Sequence, residues 1–295
     1  MSQKLLPCRP LISDAIVKRH AKTRDQREQT ITARAVARTG WRPCRPLIAG
    51  ALVLAALASC HVAAGTVDSS QSDWHEKYKR QQNAPQPEDM LLNTDAEPDL
   101  TDGFKPLFNG KDLTGWAPKG GTCTFEAKQG AIVGTCVPGS PSTYLCTEAA
   151  DFQNFIFTCD VKWKVDGNSG VMFRAHAVPA KGDSETVVGP QAELEGTSKD
   201  RGWSGGIYGQ SCGGFYYPLW LVEHKKARAA LKPQGWNRLT ISAQGNVVKT
   251  WINGIPAAHW VDDGTHPKGF FGLQIHKGNQ GTVLWKNIRI KQLPQ

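Results

Sequence analysis

Four short stretches of this sequence carry side chains whose types and spacing suit chemistry. In Val171-Met172-Phe173-Arg174-Ala175-His176 the odd positions are apolar, so strand alternation leaves Arg174 and His176 on the opposite face. In Gln191-Ala192-Glu193-Leu194-Glu195 the same logic lines up Gln191, Glu193 and Glu195. Carboxylates two residues apart on a strand sit about 7 Å from each other. Phe271-Gly272-Leu273-Gln274-Ile275-His276 adds Gln274 and His276, and Ile207-Tyr208 adds the phenol of Tyr208. Singly, each has an ordinary structural role: Arg174 as an ion-pair partner, His276 as a satisfied imidazole, the two Glu on a solvated face. Together they supply a base, an acid and a cation for developing negative charge. On a curved sheet they would line a groove whose donors and acceptors match sugar hydroxyls.

The elements that must position them are strands. From Asp102 onward, short alternating segments are separated by turn signals, the pattern of a sandwich or jelly roll. Phe155–Val165 is the clearest, with Phe155, Phe157, Cys159, Val161, Trp163 and Val165 on one face and Thr158, Asp160, Lys162 and Lys164 on the other. Asn253-Gly254 is a strong hairpin signal. Ten Trp and ten Phe, mostly core, exclude wholesale disorder. Trp203, Trp220 and Trp260 lie in Gly- or Pro-rich stretches, where a ring can also stack on a sugar face. A Gly-rich phosphate loop, paired Cys-x-x-Cys zinc spacing and a Gly-x-Ser-x-Gly elbow are all missing from the sequence.

The formal charge of +9 suggests a nucleic-acid partner until it is located. Residues 1–59 hold eleven Lys and Arg against three acids, whereas 60–295 hold 24 against 23. A near-neutral main body argues against nucleic acid. Arg42 and Arg45, the apolar run Leu47–Ala58 and Leu57-Ala58-Ser59-Cys60 read as a bacterial lipoprotein signal, with Cys60 the lipidated first residue of an exported, membrane-anchored protein facing the periplasm or cell surface. Pro7-Cys8-Arg9-Pro10-Leu11-Ile12 recurs as Pro43-Cys44-Arg45-Pro46-Leu47-Ile48, and residues 1–40 are long for such a signal, so a start further downstream, near Val36, is expected. Residues 60–101 are polar and read as a flexible tether, with a short helix around Ser72–Gln82. If Gln129-Gly130 closes a two-residue hairpin, Cys123 falls opposite Cys136, which an oxidising compartment would join as a disulfide. Cys146–Cys159 is a second pairing that leaves Cys212 odd.

A family resemblance draws these residues together. Phe104-Lys105-Pro106-Leu107-Phe108-Asn109-Gly110-Lys111-Asp112-Leu113-Thr114-Gly115-Trp116, Asn168-Ser169-Gly170-Val171-Met172-Phe173-Arg174, Gly189–Glu195, Gly206-Ile207-Tyr208-Gly209, Trp236-Asn237, Trp251-Ile252-Asn253-Gly254, Gly272–His276 and Asn287-Ile288-Arg289-Ile290 occur in the order seen in 3-keto-disaccharide hydrolase domains. Over residues 102–295 the chain resembles that family, although Gln191–Glu195 departs from its commoner Glu-x-Gln-Ile-Leu-Asp form. The resemblance implies an all-β, concanavalin A-like jelly-roll sandwich of two antiparallel sheets. It also implies cleavage of 3-keto-glycosides: a ketone at C3 acidifies the C2 proton, a base removes it, the C1 substituent is expelled, and water adds to the enone. On that reading Glu193 is the base, Glu195 raises its pKa, Arg174 stabilises the enolate and His276 protonates the leaving oxygen. Gln191, Tyr208, Gln274 and His176 bind the sugar. A divalent cation on Glu193, Glu195 or His276 would polarise the ketone, though no spacing demands one. The alternative is a lectin-like module that binds carbohydrate without chemistry.

Overall fold

Alternation along Phe155–Val165 (β6) holds through Trp163: Phe155, Phe157, Cys159, Val161 and Trp163 are buried and Lys164 is exposed, whereas Thr158 is buried on the other face and Val165 is exposed at the strand end. β6 lies at the centre of one of two antiparallel sheets in the computed structural model, which describes residues 65–180, 185–197 and 200–295. This back sheet runs β13 (Ile255–Val261), β12 (Val247–Ile252), β11 (Asn237–Gln244), β6, β15 (Thr282–Gln292), β4 (Ala131–Thr135) and β3 (Thr124–Lys128), with β1 (Lys105–Pro106) paired to β15. The front sheet runs β10 (Gly214–Tyr217), β9 (Ile207–Gln210), β8 (Glu185–Leu194), β7 (Ser169–Pro179), β14 (Phe270–Ile275), β5 (Thr143–Thr147) and β2 (Trp116–Gly120). The expected all-β sandwich of two antiparallel sheets is what the chain forms.

Between the sheets, Phe271 of β14 meets Phe155 and Phe157 of β6 at 4.7 Å between ring centroids and Phe152 at 4.9 Å. Such aromatic clusters contribute burial and favourable ring geometry together. The turns also follow their residue types. Gln129 and Gly130 take φ of 51° and 75°, and Asn253 and Gly254 take 53° and 84°, as tight hairpins require. Lys128 pairs with Ala131 and Thr124 with Thr135, so the register expected for the first hairpin is the one observed.

Two expectations need correction. Cys123 and Cys136 are not bridged; both are buried free thiols, and Cys136 Sγ donates to the Gly278 carbonyl at 3.4 Å. Cys146 and Cys159 are also free, because they lie on opposite sides of the front sheet: Cys146 packs beside Met172 on its cavity side, whereas Cys159 lies in the main core.

The second correction concerns residues 65–101, which pack on the sandwich rather than forming a flexible tether. Helix α1 (Ser72–Tyr78) falls within the short helix expected there. Gln71 Oε1 accepts from buried Trp203 Nε1 at 2.7 Å, and Asp68 pairs with Arg228. Farther along, Glu97 pairs with Arg238 and accepts from Thr240 Oγ1 at 2.6 Å, while Trp251 Nε1 donates to the Asp95 carbonyl at 3.0 Å. Few of these residues are apolar, so composition read as disorder; the segment is held by partners contributed from the sheets. The expected export signal over 1–59, the start near Val36 and lipidated Cys60 lie outside the described residues. No helix among the described residues is long and apolar enough to cross a membrane.

Candidate functional site

The open face of the front sheet carries two adjacent rows of side chains. Cross-strand pairing sets one row as Glu193, Gly170, Gln274, Tyr144 and Lys119, from β8, β7, β14, β5 and β2. The neighbouring row holds Phe215, Tyr208, Gln191, Met172 and Gly272. Above them opens a cavity of about 900 Å³ whose lining includes Glu193, Gln191, Gln274, Tyr208, Tyr144, Asn168 and His276.

At the floor, Glu193 is 4% exposed. Asn168 Nδ2 donates to its Oε1 at 2.6 Å and Gln191 Nε2 to its Oε2 at 2.9 Å. Gln191 Nε2 also reaches Gln274 Oε1 at 3.3 Å, and Gln274 Nε2 donates to Tyr144 OH at 3.1 Å. The result is a polar chain running across four strands. Burial pushes the Glu193 carboxyl up to about 7; like charge on Glu195 adds to this, while Arg201 and the two amide donors oppose it. Burial likewise pushes the Tyr144 phenol up to about 12, so it stays protonated. Gln191 Oε1 is buried without a hydrogen-bond partner, an acceptor held beneath the cavity.

Glu195 lies on the same side of the chain as Glu193 but is closed off. Arg201 Nε donates to its Oε1 at 2.5 Å, Arg201 Nη2 pairs with the same oxygen, and Trp203 N donates to its Oε2 at 2.9 Å. The Arg201 guanidinium lies 4.6 Å from the Trp203 ring centroid, 4.8 Å from Phe215, 5.3 Å from Tyr78 and 5.6 Å from Trp74. Trp203 and Trp220 are fully buried, so neither presents a face to a sugar, and Trp260 stacks on Tyr216 at 5.0 Å.

His276, half-buried at the end of β14, donates from Nδ1 to the Lys277 carbonyl at 2.7 Å. Its backbone N–H bonds the Asn168 carbonyl at 3.3 Å, which ties the Asn168 loop to that end of the cavity.

Arg174 and His176 are elsewhere, for a specific reason. Met172 pairs with Gln191 but His176 pairs with Val188, so β7 has one extra residue and Arg174 takes a φ of 48°. This bulge reverses the alternation. Ala175 joins Met172 on the cavity side, while Arg174 turns away, donating to the Gln153 carbonyl at 2.6 Å and that of Gly245 at 2.8 Å. His176 is exposed and does not line the cavity.

The structure thus joins Glu193, Gln191, Gln274, Tyr208 and His276, and adds Asn168, Tyr144 and Arg201. Asn168 and Arg201 sit in loops without periodicity, and Tyr144 belongs to a strand buried along its whole length, so alternation could not single it out.

Glu193, Glu195 and His276 are not gathered into a ready-made cation site. Glu195 is committed to Arg201, both Glu193 oxygens already accept amide N–H groups, and among the described residues no group of three or more His, Cys, Asp or Glu could hold a metal ion.

The chain belongs to the family of 3-keto-alpha-glucoside-1,2-lyase-like domains, whose model matches residues 103–291. Similar solved structures include a Parabacteroides distasonis ATCC 8503 protein named as a candidate glycosyl hydrolase, 22% identical over 68% of this chain and 100% of its own, with a TM-score of 0.47. A Bacillus subtilis protein of unknown function with a galectin-like fold is 14% identical over 67% of this chain and 98% of its own, with a TM-score of 0.47. The Bacillus subtilis carbohydrate-binding module CBM66 is 14% identical over 60% and 96%, with a TM-score of 0.42. No curated protein matches the chain.

Proposed function

We propose that the cavity binds a glycoside oxidised to a ketone at C3 and cleaves it by elimination followed by hydration. Glu193 carries this reading: a buried carboxyl whose pKa lies near 7, held by two amides on the floor of a polar cavity. Such a group can accept a proton at neutral pH and return it. The C2 proton of the keto-sugar passes to Glu193 and the electron pair forms the enolate. Tyr144, a protonated phenol in the same cavity, donates to the enolate oxygen in the place expected of Arg174. The enolate then expels the C1 oxygen, which takes a proton from His276. Water adds across the C1–C2 double bond: its hydroxyl goes to C1, its proton restores His276, and Glu193 returns its proton to C2, releasing the 3-keto-sugar. Asn168 and Gln191 keep the Glu193 carboxylate aimed. The protein doing this is exported and held at a membrane through lipid on Cys60.

The test is to incubate the full chain with a 3-keto-disaccharide and with its unoxidised counterpart. Cleavage confined to the keto-sugar and lost in Glu193→Gln supports elimination. Equal cleavage by wild type and Glu193→Gln rejects the base, and glycan binding without turnover identifies a lectin-like module instead.

A further inference from the structure

The family match begins at residue 103, yet one wall of the cavity is built by Tyr78 and Gln81, from the segment that precedes it. That wall is an assembled structure. The Tyr78 ring meets Phe215 edge-on at 5.2 Å and Trp203 at 5.6 Å. Gln81 Oε1 accepts from Phe215 N at 3.0 Å, and Asn83 Nδ2 donates to the Cys212 carbonyl at 3.1 Å. Contact is so close that a Cβ at Gly214 would sit 2.4 Å from Gln81 Oε1, and one at Gly213 would sit 1.9 Å from Asn83 Nδ2. The segment therefore grips the β9–β10 hairpin, whose Tyr208 lies 4.9 Å from Phe215 and also lines the cavity.

We propose that Tyr78, Gln81 and Tyr208 form a second sugar subsite, which holds the ring that departs when the C1–O bond breaks. This rests on the elimination reading for which ring leaves, but not for the existence of the subsite. At about 900 Å³ the cavity is near the upper end of the roughly 300–1,000 Å³ typical of ligand pockets, so a single ring leaves space unfilled. Aromatic faces suit the C–H surface of a pyranose and the amide suits its hydroxyls. Two cations lie against the Tyr78 ring, Arg201 at 5.3 Å, which is paired with Glu195, and Lys77 at 5.2 Å.

The experiment uses the full chain and two keto-substrates, a 3-keto-disaccharide and methyl 3-keto-glucoside. Tyr78→Leu and Tyr208→Leu should each raise KM for the disaccharide about tenfold, the effect of losing one stacking ring, and change KM for the methyl glycoside less than about twofold. Tyr78→Phe, which keeps the ring, should raise KM for the disaccharide less than Tyr78→Leu does. Equal losses on the two substrates overturn the subsite. Calorimetric titration with maltose and methyl α-glucoside needs no turnover. Wild type that binds maltose no tighter than the monosaccharide also overturns it. A maltose preference lost in both Leu variants, without keto-sugar cleavage by wild type, supports the subsite and rejects elimination.

Discussion

The side-chain amide of Gln191 lies across Gly170, so closely that a Cβ at position 170 would sit 2.4 Å from its Cδ and 2.4 Å from its Nε2. Gly170 separates Glu193 from Gln274 in the cross-strand row, and its lack of a side chain makes room for the amide that holds Glu193. Gly170→Ala should displace Gln191 and loosen the carboxylate without disturbing strand pairing. We expect kcat/KM for a 3-keto-disaccharide to fall about a hundredfold, as misplacement by about 1 Å does elsewhere, and Tm to fall by the equivalent of the roughly 1–3 kcal/mol that overpacking costs. Unaltered kinetics in a folded Gly170→Ala variant would show that the amide does not position the base.

The raised pKa of Glu193 gives activity and stability opposite pH dependences. As a base it must be ionised, so kcat/KM should rise with pH through a limb near 7, and Glu193→Gln should abolish that limb. For stability, the folded state holds the proton up to about 7, whereas the unfolded chain releases it near the ordinary value of 4.5. Between those values the native state binds more protons, so this group's contribution is fully present below about 4.5 and is lost as pH rises to about 7. The loss is roughly 3 kcal/mol in the wild type. Urea titrations at pH 4.5 and 7.5 should therefore show Glu193→Gln losing less stability across that interval than wild type does.

Arg201 and Glu195 together tune that proton. Like charge on Glu195 raises the Glu193 pKa and Arg201 lowers it. Glu195→Gln removes the first influence and leaves the cation unneutralised beside four aromatic rings, so the kinetic limb should move to lower pH. Breaking a buried pair from one side costs about 3–5 kcal/mol, and Tm should fall with it. Arg201→Met should move the limb the opposite way. Paired pH–rate profiles check both directions, and a shift of the same sign in the two variants contradicts this account.

Alternation in the sequence carried most of the fold and part of the site, and its failures are local. β6, β14 and β8 follow period two without interruption through the residues that matter, so Gln191, Glu193 and Gln274 were legible. β7 does not, because one extra residue between Met172 and His176 reverses the side on which each side chain emerges. A bulge leaves no hydrophobic signature when its first residue is apolar, as Phe173 is. Arg201 and Asn168 enter from loops, and Tyr78 and Gln81 from a polar segment whose docking depends on individual hydrogen bonds. None of these has a repeating pattern to read.

The bulge also changes what Arg174 is for. Its guanidinium donates from Nε and Nη2 to the Gln153 carbonyl at 2.9 and 2.6 Å, from Nη2 to Gly245 at 2.8 Å, and from Nη1 to His266 at 3.5 Å. It thereby ties together the chain before β6, the β11–β12 turn and the loop before β14. Buried carbonyls stripped of a donor cost about 1–3 kcal/mol each. Arg174→Met should therefore lower the urea midpoint by the equivalent of roughly 3 kcal/mol, and Arg174→Lys should not restore it, since one ammonium cannot span three loops. Well below the variant's Tm, kcat/KM for a 3-keto-disaccharide should stay within about threefold of wild type, because the side chain is remote from the transition state. A variant that keeps wild-type stability but loses turnover would return Arg174 to the reaction, and would require β7 to lose its bulge when substrate binds.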